Sequence, residues 1–123
     1  MMRLFGKTSS EQGDAAEEQA RLHLERGGLR TLARNVRSRF GEIDLIMQDD
    51  QTLVFVEVRY RSSYRFGGAF ASVDSKKQRR LIATALSYLQ QHPYDGPCRF
   101  DVVAIGETAN GVEWLKNAFE LSE

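Results

Sequence analysis

With 123 residues, 41% of them apolar and 28% charged, the chain has the size and composition of one globular domain able to bury its own core. No apolar run reaches the length of a membrane span, and Met1 to Lys7 lacks the apolar segment of a secretory signal, so a single cytoplasmic domain over 1–123, with 1–8 as a flexible arm, is expected. The lone Cys98 excludes an internal disulfide, and although Lys/Arg and Asp/Glu balance at 17 each, residues 30–80 hold 11 basic against 6 acidic side chains, which suggests an anionic partner at the middle of the chain.

Ser9 or Ser10 can cap a first helix, with Gln12 placed for a capping box from Ser9, and Gly27-Gly28 ends it after about Arg26. Ala16, Ala20 and Leu24 form its apolar side, small enough for close packing on a sheet. Glu17 borders that stripe and either points toward acids on the sheet or pairs with Arg21 one turn later. His23 has no second ligand at metal spacing and reads as solvated or packed.

Leu29 to about Arg37 reads as a strand carrying Arg30, Arg34 and Arg37, with Arg39 just beyond. Arginines there serve as forked phosphate donors or protect an exposed edge from aggregation. The stretch GEIDLIMQDDQTLVFVEVRYR, Gly41 to Arg61, then reads as a hairpin. Gly41 to Ile46 alternates polar and apolar, Asp49-Asp50 suits the turn, and Leu53 to Tyr60 is a β-prone run. With Asp49-Asp50 as the loop, Ile43 faces Val56, Leu45 faces Val54 and Glu42 faces Glu57. Glu42, Asp44, Phe55, Glu57 and Arg59 then share one face, and Ile43, Leu45, Val54, Val56 and Val58 share the other. Asp44 and Glu57 become diagonal neighbours about 7–8 Å apart. Two like charges on a mostly buried face need neutralising, by a hard divalent cation or by a salt bridge to Arg59.

Residues 61–70 form a long Gly- and Ser-containing loop in which Arg61 and Arg65 alternate with aromatics, either gripping nucleic acid or covering the sheet with Phe66 and Phe70. A second helix is expected from Asp74-Ser75 to about Gln91, stopped by Pro93, with Leu81, Ile82, Ala85, Tyr88 and Leu89 as its buried stripe. Lys76, Lys77, Arg79 and Arg80 crowd its start, where basic charge opposes the helix dipole and hints at a partner. Gln78 points inward to support a water or phosphate, or else completes a capping box with Ser75. Cys98 to Ile105 is a strand that a right-handed crossover sets parallel to its neighbour. Val112 to Leu115 is a short final strand, and Phe119 tucks into the core. The order αβββαββ gives an α/β fold, a three-layer α/β/α sandwich on a mixed sheet.

Acids on the first helix, second strand and third strand resemble the site of the restriction-endonuclease-like PD-(D/E)xK nucleases. More closely, the chain resembles the YraN family of bacterial predicted endonucleases, distantly similar to archaeal Holliday-junction resolvases. The resemblance rests on Ala16-Glu17-x-x-Ala20, Ala33-Arg34-Asn35, Gly41 to Ile46, Val54 to Arg61, Arg99-Phe100-Asp101-Val102-Val103 and Asn117-Ala118-Phe119. It implies a single nuclease-like domain in which Glu17, Asp44, Glu57 and Arg59 are catalytic. Asp44, Glu57 and the Val58 carbonyl would hold Mg²⁺ or Mn²⁺. Arg59 departs from the pattern, because that superfamily usually has lysine there and arginine stays charged at any working pH.

The expected function is a metal-dependent, structure-selective endonuclease that prefers DNA to RNA. Arg34, Arg37, Arg39, Arg61, Arg65, Lys76, Lys77, Arg79 and Arg80 would grip the backbone, and Glu42 and Gln78 would support the site. Junction-cleaving relatives act as dimers, so a homodimer is a further implication. Two alternatives remain at this level: a nucleic-acid-binding module of the same fold without turnover, and a protein-interaction domain using the loop at 61–70.

Overall fold

A computed structural model describes residues 9–61, 68–106 and 111–120. Helix α1 (Ser9–Arg26) is followed by strands β1 (Arg30–Ser38), β2 (Gly41–Asp49) and β3 (Thr52–Arg61). A short helix α2 (Gly68–Ala71), helix α3 (Ser75–Gln91) and strands β4 (Cys98–Gly106) and β5 (Val112–Phe119) complete the chain. The five strands form one sheet in the order β1-β2-β3-β4-β5, antiparallel throughout except for the parallel β3–β4 pair. The α/β sandwich expected from the sequence is the observed fold, with a core on each face of the sheet.

One core joins Ala16, Ala20 and Leu24 of α1 to Leu45, Met47, Val54 and Val56. The other packs Leu81 and Ala85 of α3 on Ile43, Ile46, Phe55 and Phe100. The small residues of α1 let its backbone approach the sheet. Gly28 takes φ +102, and the Leu29 N–H bonds back to the Leu24 carbonyl while the Gly28 N–H bonds to that of Glu25. That left-handed ending satisfies the last helical carbonyls and turns Leu29 into the core beside Leu24.

The hairpin differs from the sequence expectation in its loop. Asp49 pairs with Thr52 and Leu45 with Val56, so the loop is Asp50-Gln51, with Asp50 at φ +54. Asp49 stays in the strand because Arg99 of β4 reaches it, Nη1 to Oδ2 2.9 Å. Moving a two-residue loop by one position preserves which residues share a face, but shifts each partner by two. The ladder ends at Leu45–Val56, so Glu42 and Glu57 do not pair within it.

The expected face pattern fails at Ile43, which packs on the α3 side with Ile46 instead of joining Leu45. The cause lies on the neighbouring strand. Asn35 adopts φ +50 between Arg34, which pairs with Leu45, and Val36, which pairs with Ile43. A left-handed residue there breaks the two-residue alternation, so Ala33 and Val36 both pack toward α3.

Helix α3 begins as expected at Ser75, but its cap is Asp74, whose carboxylate accepts the Lys77 N–H at 2.9 Å. Ser75 and Gln78 therefore form no capping box; the Gln78 amide donates to the Val73 carbonyl at 3.0 Å. The final strand runs on to Phe119, past the expected Leu115. Asn117 at φ +53 sits at an irregularity in the β4–β5 pairing, its N–H bonded to Asp101 Oδ1 at 2.9 Å. Phe119 stacks on Phe100 with ring centroids 4.6 Å apart, as the sequence suggested. The expected arm at 1–8, the side chains of the Ser9–Gln12 capping box and the loop at 62–67 lie outside the described residues.

Candidate metal centre

Four elements, α1, β1, β2 and β3, converge where β2 and β3 part. The ladder between them runs from Asp49–Thr52 to Leu45–Val56, and at the next position the Val58 N–H donates to the Asp44 carboxylate, 2.8 Å to Oδ2. A side chain here accepts a strand hydrogen bond, which holds Asp44 against β3. Residues in a strand direct N–H and C=O to the same side, so the Val58 carbonyl also faces the Asp44 side of β3. Opposite, the Asn35 amide donates to Glu17 Oε1 at 3.0 Å and to Glu42 Oε2 at 2.8 Å, joining α1 to β2. Carboxylate oxygens of Glu17, Glu42 and Asp44 lie within 4.8 Å of one another.

The acids are strained electrostatically. Burial, then the charge of Glu57, push the Asp44 carboxyl up to about 7, with the Val58 N–H partly opposing them. Burial raises Glu17 as well, against the Asn35 hydrogen bond, and Asp44 adds repulsion. Glu57, 6% exposed, is also raised by burial, but the charges of Lys77 and Arg59 pull it back. Lys77 Nζ lies 3.7 Å and Arg59 Nε 3.1 Å from Glu57 Oε2. The Arg59 contact is an ion pair without hydrogen-bond alignment, since that buried Nε finds no properly directed acceptor.

Clustered carboxylates with a strand carbonyl nearby offer the hard oxygen donors that Mg²⁺ and Mn²⁺ prefer. A divalent cation would relieve the repulsion that raises Asp44 and Glu17, so the residues present fit such an ion. The sequence-based donor set of Asp44, Glu57 and Val58 meets a different grouping here. Glu17 and Glu42 gather with Asp44, while Glu57 is engaged by two cations of the protein itself. Of the two ways considered for neutralising Glu57, the salt bridge to Arg59 is present.

Other expected residues are scattered around this centre. Glu17 is not paired with Arg21, which instead bonds Glu18 at 3.0 Å through Nε and pairs with Glu25 at 3.0 Å. Arg34 reaches Glu18 at 3.3 Å, Arg37 reaches Glu42 at 3.4 Å, and Arg39 lies over the Phe40 ring. Lys76, Arg79 and Arg80 are exposed on the first turns of α3. Gly41 opens β2 at φ +152, a conformation that residues with a side chain rarely adopt, and a Cβ there would meet Arg80 Cβ only at the ordinary contact distance of 3.8 Å. Gln78 is tied to Val73 and does not reach the acids. The side chain of Arg61, and Arg65 altogether, lie outside the described residues.

Sequence reasoning gave no role to Asn35, whose amide bridges two of the acids. An asparagine flanked by strand residues is a weak sign of a left-handed break, because Asn tolerates positive φ better than most residues.

Residues 16–105 match the sequence model of the group described as "Uncharacterised protein family UPF0102". The chain is 53% identical over 116 residues to a UPF0102 protein of Nitrosomonas europaea, covering 94% of this chain and 98% of that one. It is 57% identical over 118 residues to a UPF0102 protein of Enterobacter sp. strain 638, covering 93% and 88% respectively. With the UPF0102 protein YraN of Escherichia fergusonii it shares 56% identity over 115 residues, covering 91% and 86%.

Proposed function

The chain belongs to the UPF0102 family, and on that footing we propose that it is a metal-dependent, structure-selective endonuclease acting on nucleic-acid phosphodiesters, DNA above RNA. One observation carries the reading: Glu17, Glu42 and Asp44 place carboxylate oxygens within 4.8 Å of one another beside the buried Glu57. Clustering acids at that density disfavours the folded protein alone and suits one that takes up a cation.

Mg²⁺ or Mn²⁺, when bound, supplies Lewis acidity toward a phosphoryl oxygen and a more acidic water. Asp44 and Glu17 would be its holders, with Glu42 beside them and the Val58 carbonyl on the same side. Asn35 keeps Glu17 and Glu42 in place, with the second Glu42 oxygen shared with Arg37. Glu57 is held by Lys77 and Arg59, and these two cations would help to offset the charge of a phosphate brought to the acids. Lys76, Arg79 and Arg80 extend positive charge along α3 and would hold a backbone without reading bases.

A second reading has an observation of its own. Arg59 pairs with Glu57 and cannot give up its proton at working pH. A binding module of the same fold, without turnover, would carry the same basic surround.

The test is cleavage of labelled single-stranded, duplex, flapped and four-way-junction DNA, with RNA counterparts, in Mg²⁺, Mn²⁺ or EDTA. Metal-dependent cutting that disappears in Asp44→Asn and Glu57→Ala is the expected result. Salt-sensitive binding without product would replace the nuclease by the binding module; cutting that persists in both variants would displace the site.

A further inference from the structure

Beside the acid cluster, the seam between β1 and the outer face of α3 remains open. A cleft of about 640 Å³ lies between the β1–β2 turn and the helix, lined among others by Arg37, Arg39, Phe40, Leu86, Gln90 and Gln91. A second, of about 330 Å³, continues it past Leu32 and shares Arg37, Ser87 and Gln91. Both volumes fall in the range of about 300–1,000 Å³ common for small-ligand sites. Three of the five exposed large apolar side chains among the described residues line this seam: Leu32 at 40%, Phe40 at 44% and Leu86 at 48%. Such concentration on one strip is unlike the single scattered apolar residues of an ordinary surface.

The polar chemistry is one-sided. The described linings contain arginines and amides but no carboxylate. The Arg39 guanidinium lies 4.9 Å from the Phe40 ring centroid and covers one ring face. Arg37, 79% exposed, joins the cleft to the acid cluster through its 3.4 Å contact with Glu42. Flat apolar surface, cations and amides match the parts of a single nucleotide: a base to stack, a phosphate to pair and base edges to bond.

We infer that this seam is a subsite for one unpaired nucleotide of a strand leading away from the acid cluster, an inference that rests on the nuclease reading above. A base paired within a duplex has both faces occupied by its neighbours and cannot lie on Phe40 and Leu86. The seam would therefore distinguish nucleic acid with a free arm from blunt duplex. Arg37 stands at the boundary, able to hold the phosphate between the reacting position and the stacked base.

The experiment uses the full chain in EDTA, so that binding is read without cleavage. Fluorescence anisotropy is measured on a blunt duplex, on the same duplex with an unpaired arm of either polarity, and on single strands, as DNA and as RNA. A 2-aminopurine in the arm reports stacking. Phe40→Ala and Leu86→Ser, both at exposed positions, are each expected to weaken arm-bearing ligands fivefold or more, to abolish the 2-aminopurine signal, and to change blunt-duplex affinity less than twofold. Unchanged affinities in both variants, or equal losses on blunt and arm-bearing duplex, would overturn the subsite while leaving the nuclease reading standing. A wild-type dimer that dissociates in Phe40→Ala without any effect on nucleic acid would assign the seam to a second copy instead. Failure of the folded wild type to bind any nucleic acid would remove both proposals.

Discussion

Asp44 and Val58 are joined by a hydrogen bond from a strand N–H to a carboxylate, 2.8 Å long, at the point where the β2–β3 ladder has stopped. The bond keeps a poorly solvated acid close to a second one, Glu57, and the protein bears the electrostatic cost in its folded state.

That cost has a definite pH dependence. The folded-state pKa of Asp44, about 7, lies above the roughly 3.9 of an unfolded aspartate, so the folded chain binds the proton more tightly. Its contribution to stability is fully present below about pH 4 and is lost as pH rises through about 7. Glu57, also raised, adds the same sign. Relative to Asp44→Asn, the wild type is expected to lose on the order of 1–4 kcal/mol between pH 4 and pH 8, read from urea unfolding. A difference that stays flat with pH would contradict the assigned cause.

Cation binding should reverse that loss. Mg²⁺ or Mn²⁺ at millimolar concentration is expected to raise the melting temperature at pH 8, and much less at pH 5, where protons compete for the same oxygens. Asp44→Asn should abolish the shift at both values. A shift of equal size in wild type and variant would place the ion elsewhere.

Asn35→Ala removes two hydrogen bonds to carboxylates and leaves a residue with a β-carbon at φ +50. The expected destabilisation is about 2–3 kcal/mol without divalent cation. Asn35→Gly should cost less, because it relieves the backbone while losing the same bonds; an alanine variant as stable as the glycine one would remove the strain from the account.

Buried Asp101 offers a contrast, an acid whose partners all belong to the chain. It accepts from Arg99 Nε at 3.0 Å, Trp114 Nε1 at 2.9 Å and the Asn117 N–H, and it is 1% exposed. Asp101→Ala should destabilise by about 3–5 kcal/mol, with or without divalent cation, since it takes the acceptor from Trp114 Nε1 and the Asn117 N–H and leaves Arg99 with Asp49 alone. Cation rescue of this variant would show that the two acid sites are not separate.

Replacing Lys76, Arg79 and Arg80 together by Ala should move binding and stability in opposite directions. The salt dependence of duplex affinity is expected to fall by up to about 2–3 in log–log slope. The fold should gain about a kcal/mol or less, because positive charge leaves a helix N-terminus. Equal loss of both would mark these residues as structural.

Helices α1 and α3 and the strand faces from Leu45 to Phe55 were legible from local pattern: small residues on α1, a start at Asp74-Ser75 on α3, and a hairpin whose parity survives a moved loop. The loop position was not legible, because Asp49 is held in the strand by Arg99, far along the chain. Asn117 hid the length of β5 in the same way, a turn-forming residue kept in a strand by Asp101. The helix α2 spans four residues, too few for any periodicity to show. Within the centre, the acids stood out as charges in apolar strands, whereas Asn35 is recognisable only once its φ and its two partners are known.

Asn35 has a mechanical consequence as well. One amide holds a helix acid and a strand acid at the same time, so α1 cannot slip by a turn along the sheet, about 5.4 Å, without opening the cluster. The small residues beneath α1 allow close approach but offer little resistance to sliding. The amide is thus a latch: it fixes the position of the helix on the sheet with the same two bonds that set the spacing of the acids.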